Sequence, residues 1–491
     1  MVLLRDLITS LQQPIIKGVI DHITILNIVD HSKQVNTGSL FVALSGHMVD
    51  GHDYIDHAVT NGATAVIGEK DIDGLDVPYI KVEDARKALV TIAKTYYQCP
   101  FDHKTIIGVT GTNGKTTTSH MISHLLQAGG SSVSLISTTL CKINDVTFSQ
   151  PQTTPGVLDL YRYAYESHDD VMVIEVSSHG LDQQRVAGIT FDLAVFTNLS
   201  HEHLDYHRDM GAYFKTKVKL FEQLHENGKA IINIDDSWGK RMVNELSTKH
   251  HDIITVGQSD NADMSFNVLN YQHHHDVMCH VKGESFHLPS PVLGVYNLYN
   301  LVLSIAVYHE LGKNKNDLAE HLKSYPGVPG RFEQFQMKNG VHVVVDYAHT
   351  PKAIQEVLST AREMTDHQLV HIIGFKASRD KHKRDDMINE SLNYSDDVYL
   401  TIGDLDHVSQ EDMVHELNLL KDKWDSNHIS VEDSRLNIID KTIRRAKPGD
   451  WIVITGQGHK TYENDNEWGT TTDQETVQYV DKLLEVKLAN E

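Results

Sequence analysis

"IIGVTGTNGKTTTSH", residues 106–120, decides how this chain is read. A β-branched run enters a glycine-containing turn, then a lysine, then three threonines. A turn that follows a strand and opens a helix offers backbone N–H groups and the helix N-terminus to a phosphate. Lys115 is placed to reach terminal phosphates, and the Thr116 hydroxyl suits a magnesium ion. The general pattern asks for glycine, four residues, then Gly-Lys. Here Val109 stands five before Gly114, so "TGTNGKT" is a variant. Strand, turn, Lys-Thr and helix agree with one another, which leaves little room for a chance glycine-rich turn.

Composition limits what the phosphate is for. A chain of 491 residues is too long for one core and suits two to four domains. No run of about 18 apolar residues occurs, so no membrane span is expected. The opening "MVLLRDLITSLQQ" holds an aspartate and no small-residue cleavage site, and reads as an amphipathic helix rather than a signal peptide. Cys99, Cys141 and Cys279 are scattered and odd in number, which fits a reducing cytoplasm. A net charge of −23 argues against nucleic-acid binding, so an anionic ligand must be held by local positive charge.

Pattern divides the chain into three α/β units. Residues 1–100 contain short apolar segments such as "GSLFVAL" and "ATAVIG" and end at a linker, "YYQCPFDH". Residues 101–331 alternate strand-like and helical stretches, which predicts βαβ units in a parallel sheet around the phosphate loop. Glycine and proline cluster in "SYPGVPGRFEQF" and set a boundary near 331. Residues 332–491 return to buried-strand patterns, among them "VHVVVDYAHT", "QLVHIIGF" and "DWIVITGQG", and read as a Rossmann-like domain. His273–His275 reads as an exposed hairpin rather than a metal site, because no histidine–carboxylate framework surrounds it.

The loop variant resembles the ATP loop of the Mur ligase family, which joins amino acids to acyl groups, and the resemblance covers residues 20–480. It implies ATP contacts along Gly111, Thr112, Asn113, Gly114, Lys115, Thr116 and Thr117. "VIEVSSHGLDQQR" is read as a strand ending with Glu175, and "TNLSHEHLDYH" as the next strand, ending with His203. Ligands gather at strand C-termini in open α/β sheets, so both could meet near Thr116 and share Mg²⁺. In "AYFKTKVKLF", Lys217 falls where many Mur ligases carry a carbamylated lysine, an anion able to hold a second Mg²⁺. Its bland alternative is a solvated helical lysine like Lys215 and Lys219. "GVYNLYNL", "GVPGRFE" and "VVDYAHTP" match nucleotide-contacting segments and implicate Asn297, Asn300, Arg331 and Asp346. Asn297 and Asn300 read secondarily as helix-capping residues.

Folylpolyglutamate synthases share the central turn, but the first hundred residues point elsewhere. "VDHSKQVNTGSLFVALSGHMVDGHDYI" resembles the uridine-nucleotide domain of the Mur ligases that add the third peptide residue to UDP-N-acetylmuramoyl-L-alanyl-D-glutamate. The resemblance implies UDP-substrate contacts at Ser32, His47, Met48 and Val49, and contacts to the muramoyl peptide at Gln152, Thr153, Thr154, Ser177, Gln183 and Arg185. Two departures stand out here: "HSK" replaces Asp-Ser-Arg, and Gln152 replaces an asparagine.

The acceptor end departs further. Diaminopimelate-adding members carry Asp-Asn-Pro-Arg, whereas this chain has Gly403, Asp404, Leu405 and Asp406. The family's Gly-Lys-Gly-His-Glu is "GQGHK", with Gly456 kept and Lys460 in the glutamate position. Arg379 stays at an amino-acid carboxylate contact. A carboxylate at Asp406 disfavours diaminopimelate and leads to an expectation of L-lysine, with Asp404 or Asp406 facing its ammonium. Lys460 opposes that expectation unless Asp406 ties it up, and an acidic or neutral acceptor stays open. The implied activity is ATP-dependent ligation through an acyl phosphate in peptidoglycan precursor synthesis, by a cytoplasmic enzyme expected to act as a monomer. Two alternatives stand beside it: a ligase for a different acyl substrate, and a nucleotide-binding paralogue without ligase activity.

Overall fold

The computed structural model describes residues 2–488, apart from 47–48, 249–251, 272–273, 378–380, 382, 425 and 463–467. His47, Met48 and Arg379 therefore lie outside the described residues. Three principal sheets are laid out in chain order. The first has five strands, in the order Ile15–Lys17, Tyr79–Lys81, Ala63–Gly68, Ser39–Val42, Asn27–Val29. Only its outermost pair, Ile15–Lys17 with Tyr79–Lys81, is antiparallel. The expected N-terminal helix is short, Leu4–Ile8, and buries Leu4, Leu7 and Ile8.

The second sheet has eleven strands, and the quoted motif lies at its centre. Thr105–Thr110 (β1) leads through the glycine turn into helix Lys115–Ala128 (α1). Val171–Glu175 (β2) and Phe191–Phe196 (β3) flank β1, both parallel to it. The chain first winds to one side of β1, through Val133–Ile136 and back to β2, then crosses to β3. That reversal opens a crevice at the strand C-termini, where the loop, Glu175 and the segment after β3 come together. Helices Met210–Phe221 (α2) and Val295–Glu310 (α3) pack on the two faces. A hairpin, Met264–Tyr271 with His274–Val281, extends the far edge, and His275 in it is buried, not exposed as expected.

The third sheet has six strands. Its parallel part runs His342–Val345 (β4), Trp451–Thr455, Leu369–Lys376 (β5), Asp397–Asp404 (β6) and Ile429–Val431, and Glu333–Gln336 adds an antiparallel edge. Apolar clusters fill both faces of this sheet. One continuous cluster instead joins the first two sheets, running from Leu4, Leu40 and Leu89 to Leu160, Tyr161 and Ile174. Burial of that common core fixes the first unit against the second.

Candidate active site at the meeting of two sheets

Two glycines shape the phosphate loop. Gly111 sits at φ +151°, and a Cβ there would fall 1.9 Å from Thr197 Oγ1. Gly114 sits at φ +83°, and a Cβ there would fall 2.2 Å from Asn300 Oδ1. The segment after β3 holds the turn: Thr112 N–H donates to Asn198 O (2.9 Å), Asn113 N–H to Asn198 Oδ1 (3.0 Å), and the Thr197 hydroxyl to Asn113 O (2.7 Å). The opening N–H groups of α1 have no intrahelical partner and face the crevice with the positive end of the helix dipole.

Two lysines converge on this loop. Lys115 Nζ donates to Gly111 O (3.1 Å) and Thr112 O (2.8 Å), while Lys217 Nζ donates to the same Gly111 O at 2.6 Å. Lys217 is 1% exposed, whereas Lys215 and Lys219 on the same helix are exposed, so the solvated-lysine alternative fails. Burial, with Lys115 alongside, holds the Lys217 amine well below the usual ammonium range.

Glu175 ends β2 as read from sequence. Its carboxylate accepts from Thr116 Oγ1 (3.0 and 3.1 Å), Ser137 Oγ (3.0 Å) and Thr138 N–H (2.9 Å). Arg331, from the far side of the cleft, donates to Thr116 Oγ1 at 3.2 Å. His203 departs from the sequence expectation: β3 stops at Phe196, and His203 lies in the loop beyond it at φ +57°. The loop has to turn back over the crevice, and the left-handed residue makes that turn. Burial pulls the His203 imidazole down to about 3, Glu202 opposing, so it is neutral with a nitrogen lone pair.

Asn297 and Asn300 do not cap α3. Asn300 Nδ2 donates to Asn297 Oδ1 (3.2 Å), and Asn300 Oδ1 accepts from Thr118 Oγ1 (3.2 Å), which ties α3 to α1 behind the loop. Asp346, just after β4, accepts from Phe332 N–H and Ala348 N–H, both at 2.6 Å, and so fixes the turn that carries Arg331. Sequence reasoning missed a second link across the cleft: Glu202 and His349 meet at 2.8 Å. His349 Nδ1 faces Tyr347 O at 2.9 Å, so both ring nitrogens face oxygen acceptors and one proton lies between Nε2 and Glu202. Burial works to raise Glu202, and His349 outweighs it, holding the carboxyl well below its ordinary range. Adjacency to His203 and a place within "DYAHT" were the available signals for the pair.

Lys115, Thr116, Glu175, Glu202, His203, Asn297, Asn300, Arg331, Asp346 and His349 line a cavity of about 390 Å³ that also touches Gln152, Thr153, Ser177 and Arg185, whereas the buried Lys217 is not among its lining residues. A neighbouring cavity of about 480 Å³ shares Asn113, Gly114, Tyr296, Asn300 and Glu356 with it. Glu356, also unforeseen, is pushed up to about 7 by burial. Thr154 lies behind the wall: its hydroxyl donates to Glu175 O (2.9 Å) and its carbonyl accepts from Arg185 (2.8 Å). Gln183 Oε1 holds the same guanidinium at 2.6 Å. Ser32 is buried and Val49 exposed in the first unit, and neither lines this cavity.

Beyond Tyr347 and His349 lies a narrow cavity of about 20 Å³, lined also by Gly374, Lys376, Lys383, Arg384 and Gly456. Asp404 bonds Lys376 Nζ at 3.1 Å. Asp406 is exposed, at φ +49°, and its N–H donates to Asp404 Oδ1. Lys460 Nζ lies 5.7 Å from the Tyr347 ring centroid. The Lys460 ammonium that an L-lysine acceptor needed tied to Asp406 lies instead by the Tyr347 ring.

Among the described residues, no three histidine, cysteine, aspartate or glutamate side chains gather into a metal cluster. The donors at the loop do fit Mg²⁺, which is usually bound through one or two carboxylates plus substrate phosphates. Glu175 and the Thr116 hydroxyl bonded to it are hard oxygen donors beside the phosphate loop.

Comparison with known proteins identifies the assembly. Residues 22–97 match the Mur ligase family catalytic domain, residues 109–308 the Mur ligase middle domain, and residues 330–458 the Mur ligase glutamate ligase domain. A UDP-N-acetylmuramoyl-L-alanyl-D-glutamate–2,6-diaminopimelate ligase from Bacillus velezensis is 35% identical over 450 residues, covering 88% of this chain and 89% of that one. A UDP-N-acetylmuramyl-tripeptide synthetase 2 from Oceanobacillus iheyensis is 35% identical over 452 residues, covering 90% of each. A solved UDP-N-acetylmuramoyl-L-alanyl-D-glutamate–2,6-diaminopimelate ligase superposes with a TM-score of 0.66 at 27% identity, covering 94% of this chain and 95% of that one. The chain belongs to the Mur ligase family. It is thus a ligase with the family's three-unit α/β fold, and no described helix is long and apolar enough to cross a membrane.

Proposed function

We propose that this enzyme joins an amino acid, as the third peptide residue, to UDP-N-acetylmuramoyl-L-alanyl-D-glutamate at the expense of ATP, in the cytoplasmic stage of peptidoglycan precursor synthesis. One observation carries the reading: Lys115, Thr116, Glu175 and His203 of the central unit, Arg331 at its boundary, and Asp346 and His349 of the third unit line a single cavity. Residues 1–100 serve the uridine nucleotide, 101–331 ATP, and 332–491 the acceptor. The two joined cavities give ATP room to lie from the loop past Asn297 and Asn300 toward Asp346. Gln152, Thr153, Ser177 and Arg185 form the wall for the peptide end, with Thr154 and Gln183 orienting Arg185. Ser32 and the 47–49 segment take the uridine end.

The substrate's terminal carboxylate attacks the γ-phosphorus, ADP leaves, and an acyl phosphate forms. Lys115 gives up its two loop carbonyls for phosphoryl oxygens and, with Arg331, balances the charge that grows there. The acceptor amine then attacks the acyl carbon and phosphate departs. The Glu202–His349 contact holds the cleft shut, which keeps water from the anhydride. Glu175, Thr116, His203 and Lys217 would hold Mg²⁺, which supplies Lewis-acid neutralisation of the phosphates. For this, Lys217 acts as a carbamate: its neutral amine adds to carbon dioxide, releases a proton, and becomes an anion.

The test is phosphate release that requires both the UDP-dipeptide and an amino acid, with substrate labelled by oxygen-18 in the terminal carboxylate. One labelled oxygen should appear in phosphate. Unlabelled phosphate would rule out the acyl-phosphate route.

A further inference from the structure

The two larger cavities meet at a neck lined by Tyr296 and Glu356. Helix Pro351–Glu363 of the third unit turns Ala353, Glu356 and Val357 toward it, three and four residues apart on one helix face. Tyr296 comes from the opposite side, on α3 of the central unit. The two helices approach closely: a Cβ on Gly294 would fall 2.6 Å from both Thr360 Oγ1 and Tyr296 Cε1. Ala353, Val357 and the Tyr296 ring give the neck apolar walls, which suit the faces of a flat ring, with few polar groups left to orient it.

Polar side chains around the neck are largely spent on the protein itself. Asn198 Nδ2 donates to Asn113 O (3.1 Å), Asn233 Nδ2 to Thr197 O (2.9 Å) and the Tyr299 hydroxyl to Asp235 Oδ2 (2.7 Å). Asn297 Nδ2 donates to Leu293 O (2.8 Å). The Glu356 carboxyl is different. Its side chain is only 25% exposed, and among the described residues it accepts no hydrogen bond. Lys352 lies 3.8 Å away and gives its own bond to Gln355 Oε1 (2.9 Å). The Tyr296 hydroxyl is buried and also lacks a partner among the described residues. A largely buried carboxyl that no donor meets is costly to charge, and burial accordingly pushes Glu356 up to about 7. An incoming N–H would restore the bond that Glu356 lost on leaving water. ATP laid from the loop past Asn297 and Asn300 toward Asp346 brings its base to this neck.

We propose that Glu356 reads the base of ATP: its carboxyl accepts a hydrogen bond from the exocyclic amine, while Tyr296, Ala353 and Val357 hold the faces of the ring. This rests on the ATP-dependent ligase reading above and adds to it the residue that recognises the nucleoside end.

The experiment uses the full chain with UDP-dipeptide, Mg²⁺ and a mixture of amino acids, and follows phosphate release. ATP is compared with purine riboside triphosphate, which lacks only the amine, and with 3′-deoxy-ATP, which lacks only a ribose hydroxyl. In the unsubstituted enzyme, loss of the amine should lower kcat/KM about 10-fold or more, as for a buried bond to an ionisable group. Glu356→Ala should bring ATP down to the level of purine riboside triphosphate, with the 3′-deoxy-ATP penalty and the KM for UDP-dipeptide unchanged. Glu356→Gln keeps an oxygen acceptor and should keep most of the preference for the amine. If Glu356→Ala does not fold, Glu356→Leu, closer in volume, takes its place. Equal use of ATP and purine riboside triphosphate by the unsubstituted enzyme would overturn the proposal, as would an amine preference that survives in Glu356→Ala. Loss of the 3′-deoxy-ATP penalty in its place would also overturn it, since the carboxyl would then hold the ribose. If no amino acid is joined, the ligase reading fails, and the base site is judged by calorimetric titration with ADP and purine riboside diphosphate. Tighter ADP binding that is lost in Glu356→Ala would support it; no preference, or no ADP binding, would overturn it.

Discussion

Gly114→Ala tests how the loop is built. The residue sits at φ +83°, a region that costs an L-residue about 1–2 kcal/mol. The new methyl would also fall 2.2 Å from Asn300 Oδ1, and Asn300 cannot yield without cost. It accepts from Thr118 and donates to Asn297, both at 3.2 Å and both buried. Losing two such bonds removes about 2 kcal/mol, for a total near 3–4 kcal/mol. Gly130→Ala is the matched control: φ is +84°, and no atom lies within 4 Å of the added Cβ. The difference between the variants, about 2 kcal/mol, isolates the Asn300 contact. Urea unfolding followed by circular dichroism measures it, and calorimetric titration with ADP gives the functional counterpart. Gly114→Ala should weaken ADP at least about 10-fold, since the loop N–H groups shift, and Gly130→Ala should bind it normally. Equal stability of the two variants with unchanged ADP affinity in both would refute the argument that Asn300 supports the loop.

Lys115→Ala should lower kcat about 100-fold or more, with little loss of stability, as checked by steady-state phosphate release and thermal unfolding. Lys217→Ala should abolish turnover and recover part of it with added short carboxylic acids; intact-protein mass should show the carbamate in the unsubstituted enzyme, and its absence together with no rescue would count against it. His371, buried between Ser391 and Thr455 at 2.9 Å each, is drawn down to about 3 by burial, with Arg435 adding to the effect. Its folded value lies below its unfolded one, so the unfolded chain takes up the proton first: this contribution is whole above about 6.5 and falls by up to roughly 1.4 kcal/mol per pH unit toward 3. His371→Gln should flatten the acid limb of a stability–pH profile, and an unchanged limb would contradict the assignment.

Much of the site could be read from sequence because it is local. The loop, Glu175 and Asp346 each lie where a strand of apolar residues ends, and strand patterns show their own ends. His203 was misplaced because a loop has no periodicity: its position depends on a left-handed turn and on packing against residues far along the chain. Lys217 was picked out by resemblance alone, and only tertiary burial separates it from Lys215 and Lys219. The cross-cleft pairs, Glu202 with His349 and Arg331 with Thr116, join residues 147 and 215 positions apart, a distance no local pattern encodes. The acceptor end shows the same limit. Asp404, Asp406 and Lys460 could be named from sequence, but their partners decide their meaning, and Lys376 gave no signal.

The most direct measurement of the central claim is the mass of the UDP-linked product after incubation with UDP-N-acetylmuramoyl-L-alanyl-D-glutamate, ATP, Mg²⁺ and a mixture of amino acids. The expected result is a gain of one amino acid less one water, with one ADP formed per product. ADP formation without any gain in mass, or no dependence of ADP on the UDP-dipeptide, would contradict it.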